Sequence, residues 1–306
     1  MSVDRNEFSW SVSRDRMFQA CRRMYYFHYY GSWGGWKAEA GDRTRLIYIL
    51  KQIQNRYMWA GRKVHEGIEK ALNLVRRGES FEEKIITGCI IAEMRKEFSR
   101  SKKKTYMQKP KDGGLFEHEY EVGVSNSEWK RNADHVVHCL NNFFQSAVYK
   151  KITGLPKEDW LEIENLSYFV YNGIKIYVTL DFACREGDSI VIYDWKTGKE
   201  QKGGLNLQPA CYGMYAEQRW YAAPEKIRLT EFFLHENREK TLTLNQLDLE
   251  KAQEYIRDSI AGMMDLLEDS RSNLAAEKRF SFTQNQNLCR SCHFYKICPR
   301  HSPEAI

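Results

Sequence analysis

The stretch YNGIKIYVTLDFACREGDSIVIYDWKTG, residues 171–198, holds two runs of alternating apolar and polar residues around the turn-rich REGDS. Taking Gly187 and Asp188 as a two-residue hairpin loop pairs Glu186 with Ser189, Phe182 with Tyr193, Asp181 with Asp194 and Thr179 with Lys196. Side chains alternate along a strand. Leu180, Phe182, Tyr193 and Trp195 then form one apolar face, while Asp181, Asp194 and Lys196 share the other. A slip of one residue would put Leu180 and Phe182 among the acids, so the apolar pattern fixes this register without reference to any chemistry.

Directly opposed side chains have β-carbons about 5 Å apart, and like charges at that distance destabilise a sheet. A cation must therefore sit close to the two aspartates. Lys196 supplies one in a salt-bridged hairpin, a common arrangement for D-x-K at a strand end. A divalent ion is the alternative, since two carboxylates offer the hard oxygen ligands that Mg²⁺ or Mn²⁺ prefers.

The rest of the chain sets the bounds. Its 306 residues, 42% hydrophobic and 13% aromatic, suffice for one sizeable core or two smaller ones. No apolar run reaches the roughly 18 residues of a membrane span, and the opening MSVDRNEFSW has no apolar signal-peptide segment, so a cytoplasmic protein with no membrane partner is expected. Eight cysteines in a reducing compartment argue against a disulfide framework and direct any that cluster toward metal or redox chemistry. A net charge of +6 permits an anionic partner without requiring one.

Helical spacing predicts a helix from Ser11 to Tyr30, and helix-period patterns such as GRKVHEGIEKALNLVRRG dominate from the connection GSWGGWKAEAGD to about Tyr149. The basic, glycine-containing SRSKKKTYMQKPKDGGLFEHEYE, residues 99–121, is expected to be an exposed loop. After the hairpin the pattern predicts a helix over about Asn206 to Tyr221, strands at Lys226 to His235 and Thr241 to Leu244, and a helix over about Asn245 to Ser270. The order implies an α/β (α+β) fold with a helical elaboration in the N-terminal half. One domain over 1–306 is expected, with an N-terminal helix and Cys21 in 1–40, a mainly helical region with His65 in 41–160, the core in 161–270 and a cysteine cluster in 271–306.

An aspartate followed by D-x-K on the next strand resembles the PD-(D/E)xK nuclease superfamily. Two further motifs are similar to its RecB-like branch: Gln208 and Tyr212, four apart on one helical face in LQPACYGMYAEQ, and His65 in AGRKVHEGIE. Taken alone, Gln208 is equally a helix cap, Tyr212 a core residue and His65 a surface or core histidine. The resemblance implies a restriction-endonuclease-like core with a central mixed sheet flanked by helices. It also implies that Asp181, Asp194 and His65 hold Mg²⁺ or Mn²⁺, that Asp181, Asp194 and Lys196 are catalytic, and that Gln208 and Tyr212 position DNA and the lysine. Val178 stands where relatives often carry glycine, and Asp194 where many carry glutamate; Glu164, in WLEIENLSYF, is either a further acidic neighbour from the preceding strand or, equally, a solvated residue.

Near the C-terminus, NLCRSCHFYKICPR places Cys289, Cys292 and Cys298 in a C-x₂-C-x₅-C spacing that needs a fourth ligand. Spacing alone favours Zn²⁺. Cys21, in FQACRRMYYF, matches the position from which RecB-like nucleases with an iron–sulfur staple, including AddB and CRISPR-associated RecB-like exonucleases, draw their fourth thiolate; the resemblance thus implies a [4Fe–4S] cluster. Cys89, Cys139, Cys184 and Cys211 read as buried, unreactive residues.

The function implied is that of a metal-dependent DNA nuclease, an exonuclease rather than an endonuclease. It would act on single-stranded DNA or DNA with free ends, in repair, recombination, CRISPR adaptation or phage defence, with protein partners of a repair or defence complex. Two alternatives stay open: an inactive nuclease-fold subunit that binds DNA ends or a partner, and a zinc-stapled RNA-processing nuclease. Lys102, Lys103, Lys104, Lys109 and Lys111 suit phosphate tracking, and Trp33 and Trp36 suit stacking on unpaired bases.

Overall fold

The computed structural model describes residues 6–200 and 207–301. Its first elements are β1 (Ser9–Trp10), α1 (Val12–Ala20), α2 (Arg22–Tyr26), α3 (Asp42–Lys51), β2 (Ile53–Gln54) and α4 (Arg56–Arg76). There follow α5 (Glu83–Lys102), β3 (Gly114–Leu115), α6 (Phe116–Glu119), α7 (Asn126–Gln145) and α8 (Ala147–Gly154). The remainder comprises β4 (Trp160–Tyr171), β5 (Ile174–Glu186), β6 (Ser189–Lys196), α9 (Leu207–Trp220), β7 (Ile227–Phe233), β8 (Arg238–Thr243), α10 (Gln246–Met264) and α11 (Gln286–Arg290). Asn206, the expected first residue of the helix now seen as α9, lies outside the described residues. Among the described residues no helix is long and apolar enough to cross a membrane. The chain divides into two compact units, one of Met1–Asn55, Glu97–Gly123 and Tyr255–Ile306, the other of Arg56–Lys96 and Val124–Glu254.

In the second unit, β4 to β8 lie side by side in chain order; β6 and β7 run parallel and the other neighbours antiparallel, which makes the sheet mixed. Asn172 and Gly173, both at positive φ, close the β4–β5 hairpin as an Asn-Gly turn. Gly187, at φ 58°, turns β5 into β6, and the ladder runs from Glu186 and Ser189 to Phe182 and Tyr193 in the register expected. Leu180, Phe182, Tyr193 and Trp195 are each at most 2% exposed. Helices flank the sheet. On the apolar side Phe143 of α7 meets the Trp195 ring at 5.3 Å, and on the acidic side the Tyr212 hydroxyl of α9 donates to the Thr179 carbonyl at 2.9 Å. Close approach of α4 to α7 rests on Gly67, where a β-carbon would lie 2.8 Å from a Leu140 methyl.

The first unit corrects two expectations. The helix expected from Ser11 to Tyr30 breaks at Cys21, whose backbone is extended (φ −162°, ψ 114°), and resumes as α2 and a π-helical turn over Phe27–Gly31. Cys21 also caps α2, its sulfur accepting the Met24 N–H at 3.5 Å. Residues 99–121 are no exposed loop: α5 runs to Lys102, β3 pairs in parallel with β2, and Tyr106 and Leu115 are 1% and 3% exposed. Tyr106 joins a core of Phe27, Ile47, Leu50, Ile53, Phe294 and Ile297. Apolar residues this widely spaced carry no period, so their burial is set by tertiary contacts alone. The last long helix ends at Met264 rather than near Ser270, and the final strand is Arg238–Thr243 rather than Thr241–Leu244.

Because Phe182 fills the apolar face beside Trp160 and Tyr193, with ring centroids at 5.0 and 6.2 Å, Phe182→Ala is expected to cost about 3–5 kcal/mol in denaturant unfolding.

Candidate active site

Beyond Phe182 and Tyr193 the β5–β6 ladder opens, and the Asp181 carboxylate takes over: its Oδ2 accepts the Trp195 N–H at 2.5 Å. Asp194, one step along β6, points to the same side, and both acids are buried, at 6% and 7% exposure. Lys196 Nζ is in direct contact with Asp194 Oδ2 as an ion pair. Burial, then the charge of Asp181, pushes the Asp194 carboxyl up to about 7 against the pull of Lys196.

His65 enters from α4. Its Nδ1 lies 2.8 Å from Glu164 Oε1 and 3.4 Å from Asp181 Oδ1. Burial lowers the histidine's affinity for its proton, but Asp181 and Glu164 outweigh it and hold the imidazole well above its usual range, so it carries a positive charge among the acids. Glu164 was legible only as a possible acidic neighbour from the preceding strand. It lies between the pairs Ile163–Phe182 and Asn165–Leu180, at the level of Asp181, with a left-handed φ of 45° that turns it toward the site. One ligand atom from each of His65, Glu164 and Asp181 falls within 4.8 Å of the other two.

Gln208 and Tyr212 form a relay from the lysine. Lys196 Nζ donates to Gln208 Oε1 at 3.3 Å, Gln208 Nε2 donates to the Tyr212 hydroxyl at 2.7 Å, and that hydroxyl donates to the Thr179 carbonyl. Tyr212 is buried, and burial followed by the charges of Asp194 and Asp181 holds its hydroxyl well above the usual tyrosine range. His65, Asp181, Asp194, Lys196, Gln208 and Tyr212 are thus all brought into one constellation, with Glu164 added.

A family comparison matches residues 9–299 to the PD-(D/E)XK nuclease superfamily. The chain belongs to that superfamily. No curated protein matches it. Members of the PD-(D/E)XK superfamily are hydrolases of phosphodiester bonds in nucleic acid and use Mg²⁺ or Mn²⁺, and the mixed sheet flanked by helices is the restriction-endonuclease-like fold. The donor set fits such an ion. The carboxylates of Asp181, Asp194 and Glu164 and the imidazole of His65 are hard and borderline ligands; His65, Glu164 and Asp181 already stand within 4.8 Å of one another, while Asp194 is paired with Lys196 beside them.

In this nuclease the four cysteines Cys21, Cys289, Cys292 and Cys298 line a single pocket of the first unit, together with Phe27, Phe294, Arg23 and Arg300. Burial pushes the Cys292 thiol up to about 12 and raises Cys298, with the neighbouring cysteines adding to both. The basic segment also belongs to the first unit. Lys102, Lys103, Lys109 and Lys111 are exposed, and Lys104 sits 3.9 Å from Glu121. Trp33 and Trp36, each 39% exposed, meet edge to face at 5.0 Å.

Without a divalent ion, Asp194 binds its proton more tightly in the folded state than in the unfolded one, where the carboxyl titrates near 3.8. The folded state then holds more protons across pH 4 to 7, and stability falls as pH rises through that window. Asp194→Asn removes this penalty, and in chelator it is expected to be more stable than the parent by about 1–3 kcal/mol at pH 8 and to differ little at pH 4. Chemical unfolding at the two pH values checks it.

Proposed function

We propose that this protein is a DNA exonuclease of the RecB-like branch, acting on single-stranded DNA or DNA with free ends, that carries a structural [4Fe–4S] cluster. The observation that carries the catalytic reading is the gathering of Asp181, Glu164 and His65, one ligand atom of each within 4.8 Å of the other two, with Asp194 buried next to them and paired with Lys196. Asp181, Asp194 and His65 hold Mg²⁺ or Mn²⁺, with Glu164 as a further ligand. When bound, the ion polarises the scissile phosphate and neutralises charge that builds there. His65 must give up its proton to bind, so its cationic form balances the acids until the ion arrives. Lys196 Nζ orients the attacking water and offsets charge on the phosphate oxygens, while Gln208 and Tyr212 fix the position of that ammonium through the relay to Thr179. Their part in DNA placement is then indirect, through the lysine. A place in repair, recombination, CRISPR adaptation or phage defence, within a complex of other proteins, accords with this chemistry.

Two features of the cysteine pocket support a cluster over a single zinc ion. Tetrahedral Zn–S bonds put sulfurs about 3.8 Å apart, whereas among the described residues the four cysteines are not a group whose ligand atoms all lie within 4.8 Å of one another. The pocket is also lined by the rings of Phe27, Phe282, Phe294 and Tyr295, which shield a bulky sulfide cluster from water. Cys21 and the C-terminal cysteines come from opposite ends of the sequence, so a shared cluster ties the ends of this unit together.

End-labelled single- and double-stranded DNA, linear and circular, incubated with Mg²⁺ or Mn²⁺ tests the activity. Linear substrates are expected to be degraded from their ends and circles left intact. Lys196→Ala and Asp194→Asn are each expected to lower the rate by about 10²–10⁴-fold with DNA binding retained; an unchanged rate in both removes the catalytic assignment, and nicked circles remove the exonuclease one. Separately, protein purified without oxygen is expected to be brown, with about four iron and four sulfide per chain, and Cys292→Ser to lose both. A colourless zinc protein overturns the cluster and leaves the carboxylate site standing.

A further inference from the structure

The helix α7 carries a second set of ligating side chains that the nuclease chemistry does not use. His135 and Cys139 are one turn apart on one face, and the Cys139 sulfur lies 3.6 Å from His135 Nε2 and 4.0 Å from Nδ1. His235, just past β7, brings its ring within 5.3 Å of the His135 ring and 4.8 Å of the His138 ring, measured between centroids. One ligand atom from each of His135, Cys139 and His235 lies within 4.8 Å of the other two. All three belong to the second unit, and none is a member of the carboxylate site or of the four-cysteine pocket.

The donor types and their spacing suit a tetrahedral transition-metal ion. Bonds of about 2.3 Å to sulfur and 2.0 Å to imidazole nitrogen put the two donors about 3.5 Å apart, the separation found between Cys139 and His135. Burial, followed by the nearby His235 and His138, keeps His135 below its usual range and therefore neutral, as a ligand must be. His135 also hydrogen-bonds the backbone of Thr197, the kind of anchor that orients a metal-bound imidazole. Cys139 is fully buried, so its sulfur is held in place beside His135. His235 is exposed and gives an ion access. His138 Nε2 meets the His235 carbonyl at 3.0 Å and steadies that residue's backbone. A soft sulfur with two imidazoles selects Zn²⁺ over the hard Mg²⁺ and Mn²⁺ of the carboxylate site.

We propose that His135, Cys139 and His235 bind Zn²⁺, and that this ion fastens α7 to the ends of β6 and β7. The surrounding bonds run the same way: Asn142 Nδ2 donates to the Leu234 carbonyl at 2.7 Å, and the Leu234 N–H donates to the Lys196 carbonyl at 2.9 Å. The Lys196 carbonyl is therefore held by Leu234, next to the proposed ligand His235, and the backbone of Thr197 by the proposed ligand His135 itself. The metal site does not rest on the nuclease assignment, and its test reads metal rather than cleavage.

The full chain is stripped of metal and titrated with Co²⁺ and with Zn²⁺. Thiolate-to-cobalt absorption in the near ultraviolet is expected in protein already bearing Cys292→Ser, which disables the other thiol pocket. In that background Cys139→Ser should abolish the band, and His235→Ala, at an exposed position that spares the fold, should weaken Zn²⁺ and Co²⁺ at least about tenfold. If the Cys292→Ser chain fails to fold, His235→Ala in the otherwise native chain, scored as one zinc fewer and a smaller cobalt band, decides the same point. Absence of a cobalt band, or a band and zinc content unmoved by His235→Ala, overturns the site and leaves the contact between Cys139 and His135 as a thiol–imidazole hydrogen bond.

Discussion

The site depends on one costly arrangement, the placing of Asp181 and Asp194 side by side on a buried stretch of sheet. Removing two carboxylates from water costs several kcal/mol each unless they are matched by charge and hydrogen bonds. Asp181 finds its match in the Trp195 N–H and in His65, which becomes a cation in return. Asp194 has only the ammonium of Lys196, and its carboxyl consequently clings to a proton to about pH 7. Once ionised, the three carboxylates Asp181, Asp194 and Glu164 outnumber the two cations His65 and Lys196, the condition in which a divalent ion has most to offer.

The supporting structure serves that arrangement. Apolar residues opposite the acids, Leu180, Phe182, Tyr193 and Trp195, lock the hairpin register, since a slip would bury the acids in the core and expose the aromatic rings. On the acidic side, α9 supplies Gln208 and Tyr212 one turn apart, so a single rigid face reaches from Lys196 to the Thr179 carbonyl. Glu164 reaches the site through a left-handed backbone that a regular strand lacks. Such local strain persists only where its surroundings over-determine it.

Ligand hardness separates the candidate donor sets of the chain. Carboxylates from β4, β5 and β6 gather with one imidazole of α4, whereas four cysteines line an aromatic pocket in the first unit. Hard divalent ions and soft or sulfide-bound metals each have a donor set that the other would fill poorly.

The hairpin register, the two faces of β5 and β6, the acids and lysine on one of them, and the pairing of Gln208 with Tyr212 on a helical face were all legible in the sequence, because alternation and four-residue spacing are local properties of the chain. The approach of His65 was legible only by resemblance, since nothing near residue 65 in the sequence says which strand α4 lies against. Glu164 was left undecided because its role depends on a backbone distortion that no pattern encodes. The segment from Ser99 to Glu121 read as an exposed loop because the burial of Tyr106 and Leu115 is decided by long-range packing. Local periodicity thus determined which side chains share a face, and tertiary packing alone decided which faces meet, because contact between distant segments is a property of the folded core rather than of any one element.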